Sequence, residues 1–345
     1  MGKVKFKNLQ RHLKLVQNLN THIASKQTER KEIFRNIAQH ATREQVALAT
    51  ERVGYKMPQG YLTQAALVEM YTACRFTRSV ATKNPALYAK CFNYKPDNFI
   101  MDLAFNECMN WWAENSSPLY CVTAEMAEAF FETDVLCKDG IFKELNLPFQ
   151  QFIFALPNGL ICPPDTTGIF VDFLLATCFK KPGTDTQWIN LFFIDTSGYN
   201  WTCGIGINQN GNTDISNGDT LNVKDSMFCN KIISLVLNIL LLLDNPQNPL
   251  FSDVLPSEVA TELTRAKGFS KKSEVLPPKY PRWIGKNYRI KQERSPTSET
   301  CGTHSSPRTH WRRGHWRCIK PGEGKKWKKS KRLWIEPVLI NAGIE

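Results

Sequence analysis

No CxxC pair occurs anywhere in the 345 residues, although the chain holds eleven cysteines. The phosphate loop GxxxxGK[ST], the dinucleotide signature GxGxxG, the zinc-protease HExxH and the hydrolase elbow GxSxG are missing too, so those classes lose their usual support. The opening MGKVKFKNLQRHLK lacks the apolar stretch of a secretory signal, and Phe6 stands where a myristoylation signal needs Ser or Thr. The apolar run IISLVLNILLLL, residues 232–243, is shorter than the roughly 20 residues a bilayer helix needs and is interrupted by Asn238. It is expected to be a buried helix of a soluble domain, with no membrane partner.

The cysteines are scattered, several inside apolar runs such as LLATCFK and DSMFCNK. That usage fits free, buried thiols in a reducing cytosol and not a disulfide scaffold, so a cytoplasmic protein is expected. The length allows two domains with cores of their own.

Residues 26–53 lack Pro and Gly, alternate charges at helical spacing and put Ile33, Ile37, Val46 and Leu48 on partial apolar faces. An exposed helix or helix pair follows. YLTQAALVEMYTACRFTRSV, FIMDLAFNECMNWWAE and TAEMAEAFFETDVL also read as helices, the last with Thr123 as N-cap, so residues 1–137 are expected to be a helical domain. After Gly140 the character changes: FQQFIFALP, GIFVDFLLATCF, WINLFFIDT and NWTCGIGI are β-branched and aromatic runs parted by turn residues. They predict strands of one sheet on which the 227–244 helix packs. A further helix is predicted at 256–266 and a flexible segment at 291–308. The fold class is α+β: a helical N-terminal domain, then a mixed domain over 141–345 ending in a basic-aromatic β-hairpin.

That hairpin, THWRRGHWRCI and RLWIEPVLI joined by PGEGKKWKKSK, holds the charge. Eleven Lys or Arg and a single acid, Glu323, lie between His304 and Trp334, giving +10 of the chain's formal +12. A local patch points to one site for a polyanion or an acidic surface. Alternation puts His310, Arg312 and Trp316 on one face of the first strand and Trp311, Arg313, His315 and Arg317 on the other. Arginine forks grip phosphates or carboxylates, and indole planes stack on bases or peptides, so these residues, with Trp334, Lys325, Lys326 and Lys328, are the binding candidates. The plain alternative makes the lysines a solvated turn and the tryptophans core.

Other chemistries compete. Cys301, His304, His315 and Cys318 form CxxH and HxxC pairs of zinc-ligand type. His310 and His315 with Arg312 or Arg313 could cleave RNA without metal, although a regular strand would point the two imidazoles to opposite faces. Asp172 and Asp195, in IFVDF and FFID, could hold Mg²⁺ or pair with arginines; Asp172 is the candidate to orient a hairpin arginine. Trp111 and Trp112 read as core on one side and a domain contact on the other. The preferred set contains no catalytic residue, metal or cofactor.

At His310, Arg312, Arg313, Gly314, His315 and Trp316, and again at Arg332, Trp334, Pro337, Val338 and Asn341, the chain resembles the transcript-destroying type V-A anti-CRISPR proteins and their relatives on phages and plasmids. Weaker echoes are Ile284 and Gly285, the IFVD run ending at Asp172, and the apolar helix at 232–243. The resemblance implies a helical part followed by an α+β part, and a protein that is not a conventional enzyme. It implies loss of a target's message on recognition of its nascent N-terminal peptide, with peptide recognition by the C-terminal domain and RNA or ribosome contact by basic surface. An RNA-binding protein with intrinsic, metal-independent ribonuclease activity is the alternative.

Overall fold

The computed structural model describes residues 41–54, 57–61, 64–83, 86, 96–115, 117–135, 140–143, 145–180, 183–196, 200–216, 223–245, 248–252, 281–293, 309–319 and 331–340. Thr42 opens the first helix, α1 (Arg43–Val53): its hydroxyl accepts from the Gln45 amide while the Gln45 side chain accepts from the Thr42 amide. This reciprocal box satisfies donors that a helix start leaves free. Ile33 and Ile37 lie outside the described residues. The core-facing stripe of α1 is Ala49 and Val53, one turn apart, and Val46 and Leu48 stay 38% and 37% exposed. Helices α2 (Gln64–Lys83) and α3 (Pro96–Glu114) follow as the apolar periodicity predicts. In the WW pair Trp112 is buried and donates to the Pro118 carbonyl, while Trp111 is half exposed.

The expectation of an all-helical first 137 residues fails at β1 (Leu119–Val122) and at the two-residue β2 (Thr133–Asp134). All four residues of β1 are buried. A strand covered on both faces has no polar alternation to mark it, and LYCV is too short to stand out between two helical stretches. Between β1 and β2 runs α4 (Ala124–Phe131), capped as expected by Thr123, whose hydroxyl accepts from Met126 N–H.

The runs after Gly140 form β3 (Gln151–Ala155), β4 (Val171–Lys180), β5 (Gln187–Asp195) and β6 (Asn200–Ile207), continued by β7 (Thr213–Ser216). These join neighbour to neighbour as an antiparallel meander. β8 (Phe251–Ser252) and β9 (Arg282–Ile284) complete an eight-stranded mixed sheet of order β7-β6-β5-β4-β3-β1-β9-β8, with β1 parallel to both β3 and β9. Gly285 closes β9 at φ +81°, and a Cβ there would lie 2.5 Å from the Met126 Cβ, so only glycine lets the chain pass beneath α4.

Alternating side chains of this sheet feed two cores. Leu119, Cys121, Ile153, Ala155, Phe173, Leu175 and Phe192 pack with Ala49, Val53, Leu67, Tyr71, Phe105, Met109 and Trp112 of α1–α3. Tyr120, Val122, Phe152, Phe154, Leu174, Leu191 and Phe193 pack on the other face with α4 and α5 (Val223–Leu243). The N-terminal helices therefore share a core with the sheet, and the architecture is three layers with the sheet in the middle. By length and composition Lys224–Leu243 could cross a membrane, with a mean hydropathy of 2.0, but 72% of that window is buried inside the protein. The sheet and α4 cover it.

The helix predicted at 256–266 lies outside the described residues. The segment expected to be flexible from residue 291 instead begins with a strand, β10 (Lys291–Glu293); its three residues are exposed and polar, so pairing and not an apolar face holds them.

Candidate functional site

The predicted hairpin forms. β12 (Gly314–Ile319) pairs antiparallel with β13 (Lys331–Ile335), and β11 (His310–Arg312) with β14 (Val338–Ile340), in one continuous register. Between the halves the ladder breaks: Pro337 has no N–H to give, and Gly314 N–H turns aside to the Glu132 carbonyl at 2.9 Å. The outer half then joins β2 and the inner half joins β10, making two three-stranded sheets. A Cβ on Gly314 would lie 2.7 Å from Thr133 Oγ1 and 2.8 Å from Pro337 Cδ, so the glycine of HWRRGHW is what lets the hairpin close on α4 and β2.

The inward face of the outer half is a latch. Trp316 and Trp334, directly paired across the strands, lie with ring centroids 6.4 Å apart. The buried Trp316 donates its indole N–H to Asn238 Oδ1 at 2.6 Å, and the Asn238 amide donates to the carbonyls of Phe130 (3.1 Å) and Ser234 (2.9 Å). Trp334 donates to Thr133 Oγ1 at 3.1 Å, and the Thr133 hydroxyl donates to the Ala129 carbonyl at 2.7 Å. Asn238, the one amide side chain of the apolar run, thus ties α5, the end of α4 and the hairpin together with its amide satisfied at both ends. Its position in that run was the available signal, and sequence reasoning used it only against a membrane span.

Arg332 clamps the same strand. Its guanidinium pairs with Asp244 at the end of α5 and donates to the carbonyls of Lys143 and, at 2.6 Å, Ile141. Asp244 also accepts from Asn146 N–H at 2.7 Å. The two side chains are only 12% and 18% exposed, so screening by solvent is small. Next to Trp334, burial and then the Glu336 and Glu125 carboxylates push the Tyr288 phenol above its ordinary value, which keeps it neutral.

The opposite face points outward. His315 and Arg317 are exposed on β12, paired across the strands with Ile335 and Leu333, and Leu333 is 46% exposed. Arg313, at the break, is exposed as well. The structure therefore separates the predicted binding residues. His315, Arg313 and Arg317 share the accessible side, while Trp316 and Trp334 form the support beneath it. His310 and Arg312 are exposed on β11; Arg312 pairs with Glu293 of β10 at 3.3 Å. Trp311 is half-buried and walls a groove against α4 and α5. Lys325, Lys326 and Lys328 lie outside the described residues.

Asp172 sits half-buried at the bulge of β4; of the hairpin arginines, Arg312 takes Glu293 and Arg332 takes Asp244. Nothing in the hairpin sequence marks Glu293 as a partner; the parallel pairing of β10 with β14 brings it there. Asp195 is buried and accepts from the Trp201 indole at 3.3 Å. Among the described residues no group of three His, Cys, Asp or Glu side chains is placed to hold a metal ion, and Cys301 and His304 lie outside them. His310 and His315 stand in different sheets of the hairpin.

A helix-flanked mixed sheet with a basic, tryptophan-anchored hairpin latched to one helical layer defines the class: an α+β protein whose last strands serve as both structure and surface. Within that class, the chain belongs to the AcrVA2-like family, anti-CRISPR type V subtype A2, whose model matches residues 120–342. The match begins in β1 and runs through the hairpin, leaving α1–α3 outside it. A crystal structure of AcrVA2 is similar at a TM-score of 0.40 and 16% identity, covering 93% of this chain and 99% of that one. Comparison with curated proteins found no match.

Proposed function

We propose that the chain is a binding and recruiting protein of a mobile genetic element, one that lowers expression of a target by recognising a nascent polypeptide while its basic hairpin contacts RNA or the ribosome in the cytoplasm. The observation that carries this reading is the two-sidedness of the outer hairpin: tryptophans fixed inward by satisfied hydrogen bonds, and Arg313, His315, Arg317 and Leu333 left outward on a rigid support. A cationic surface held in place presents guanidinium forks to phosphates at little cost in side-chain ordering. Family membership supports the anti-CRISPR part of the reading.

The test is titration of a fluorescein-labelled oligouridine with the full chain in EDTA, over a range of salt. Arg313→Ala with Arg317→Ala is expected to weaken binding and to reduce the slope of log K against log salt by about 1.4, at about 0.7 for each phosphate no longer neutralised. An unchanged slope removes RNA from the proposal, and clean cleavage of the oligonucleotide by the purified chain replaces recruitment with ribonuclease action. In cells, a pull-down from translating ribosomes should recover particular messages, and recovery should fall in the double variant.

A further inference from the structure

Beside the hairpin, α4 and α5 run side by side and leave a groove of about 590 Å³. Glu128 and Phe131 of α4 and its C-cap Glu132 line one bank and Met227 and Lys231 of α5 line the other, with Trp311 of β11 as end wall. The spacings are i, i+3, i+4 on α4 and i, i+4 on α5, so each bank is a single helical stripe. Met227 is 68% exposed, the most open large apolar side chain among the described residues. An accessible methionine beside an indole and a phenyl ring is an adaptable apolar seat.

The charge of this groove runs against that of the chain. Two carboxylates, Glu128 and Glu132, face a single ammonium, and that ammonium is engaged: Lys231 Nζ lies 4.4 Å from the centroid of the Phe131 ring. Neither Glu128 nor Glu132 has an ion-pair partner among the described residues. In a protein of formal net charge +12, an acidic, apolar groove repels what the outward hairpin attracts and favours a partner with the opposite pattern.

We infer that this groove seats a peptide segment in which an apolar side chain is flanked by Lys or Arg. The apolar residue packs between Met227, Phe131 and Trp311, and the flanking cations meet Glu128 and Glu132. The inference rests on the reading of the chain as a polypeptide-recognising protein and specifies the chemistry: a cationic-apolar segment, recognised on a surface separate from the one that meets RNA. Trp311 belongs to the groove while Arg313 and Arg317 belong to the outward face, so the chain between them links the two surfaces.

The probes are three fluorescein-labelled octapeptides alternating Leu with Lys, Leu with Glu, and Ser with Lys, titrated against the full chain by anisotropy. The Leu–Lys peptide is expected to bind at least about tenfold more tightly than either control, and Met227→Ala is expected to remove about tenfold of that affinity. Glu128→Gln with Glu132→Gln should abolish the preference for Leu–Lys over Leu–Glu. Met227 and Glu128 are exposed and Glu132 is half-buried, so these variants and Trp311→Ala are each accompanied by a circular dichroism check of folding. Equal binding of the Leu–Lys and Leu–Glu peptides, or Leu–Lys binding unchanged by the Met227 and glutamate variants, overturns the assignment. Arg313→Ala with Arg317→Ala should leave peptide binding unchanged while weakening oligouridine binding, so failure of one surface is distinguishable from failure of the other.

Discussion

Replacing Asn238 by Leu tests the latch at its centre. Asn238 is fully buried, accepts the Trp316 indole N–H at 2.6 Å and donates to the Phe130 carbonyl at 3.1 Å. Leu fills a similar volume but leaves that indole donor, itself only 7% exposed, without an acceptor, a cost of about 1–3 kcal/mol. The Phe130 carbonyl at the end of α4 loses one of its donors as well, adding up to about 1 kcal/mol, and the better helix propensity of Leu returns about 0.5 kcal/mol. The net expectation is a destabilisation of about 2–3 kcal/mol, read as a lower urea midpoint with unchanged slope. Trp316→Phe removes the donor from the other side. If the bond matters as described, the double variant costs less than the two single changes together by about 1–2 kcal/mol, because the orphaned N–H is gone. Costs that add to within about 0.5 kcal/mol refute the coupling, and an Asn238→Leu variant as stable as the parent refutes the latch.

Two further outcomes follow from the same geometry. Arg332→Gln should cost about 1.5–3 kcal/mol and do so almost equally in low and high salt, because the Asp244 pair is shielded, whereas Arg312→Ala, breaking an exposed pair, should cost less than about 1 kcal/mol; urea titrations at two salt concentrations decide it. Burial pushes the Cys178 thiol up from 9.0 to about 12, so the folded protein keeps a proton that the unfolded chain releases. Stability is therefore full below the unfolded value and falls as pH rises from about 9 to about 12, by about 1.4 kcal/mol per pH unit for this thiol, with Cys74 and Cys121 shifted in the same direction. Urea midpoints under reducing conditions should decline across that window, and Cys178→Ala should decline less steeply; a flat profile would contradict the burial.

What could be read without coordinates divides along physical lines. The long strands β3–β6 and the helices α2–α5 announce themselves because apolar periodicity and turn residues are local signals. The four-residue β1 gives none, since being buried on both faces removes the alternation, and its place at the heart of the sheet depends on pairing with β9, more than 150 residues later. The hairpin was legible in outline, but the division of its residues between faces was not. Strict alternation groups Trp316 with His310 and Arg312; the break at Arg313, set by Pro337 and by Gly314 turning to Glu132, sends the two halves into different sheets. Glu293, Asn238 and Asp244, the partners of Arg312, Trp316 and Arg332, come from β10 and from α5 and its end, and can be named only once those are in place.

The basic-aromatic residues that stand out in the hairpin sequence do mainly architectural work here. Trp316 and Trp334 are pinned inward, Gly314 permits the close approach to Thr133, Arg332 is held by Asp244 and two carbonyls, and Ile284 and Gly285 carry the end of β9 under α4. In this chain they specify a way of fastening a hairpin to a helical layer. Ligand choice then falls to side chains the fastening does not use: Arg313, His315, Arg317 and Leu333 outward, and Met227, Glu128 and Glu132 in the groove. The consequence can be measured. Exchanging the outward or the groove residues should change what is bound while leaving the urea midpoint within about 0.5 kcal/mol of the parent, as surface changes do. Exchanging the fastening residues should lower stability first and lose both surfaces together.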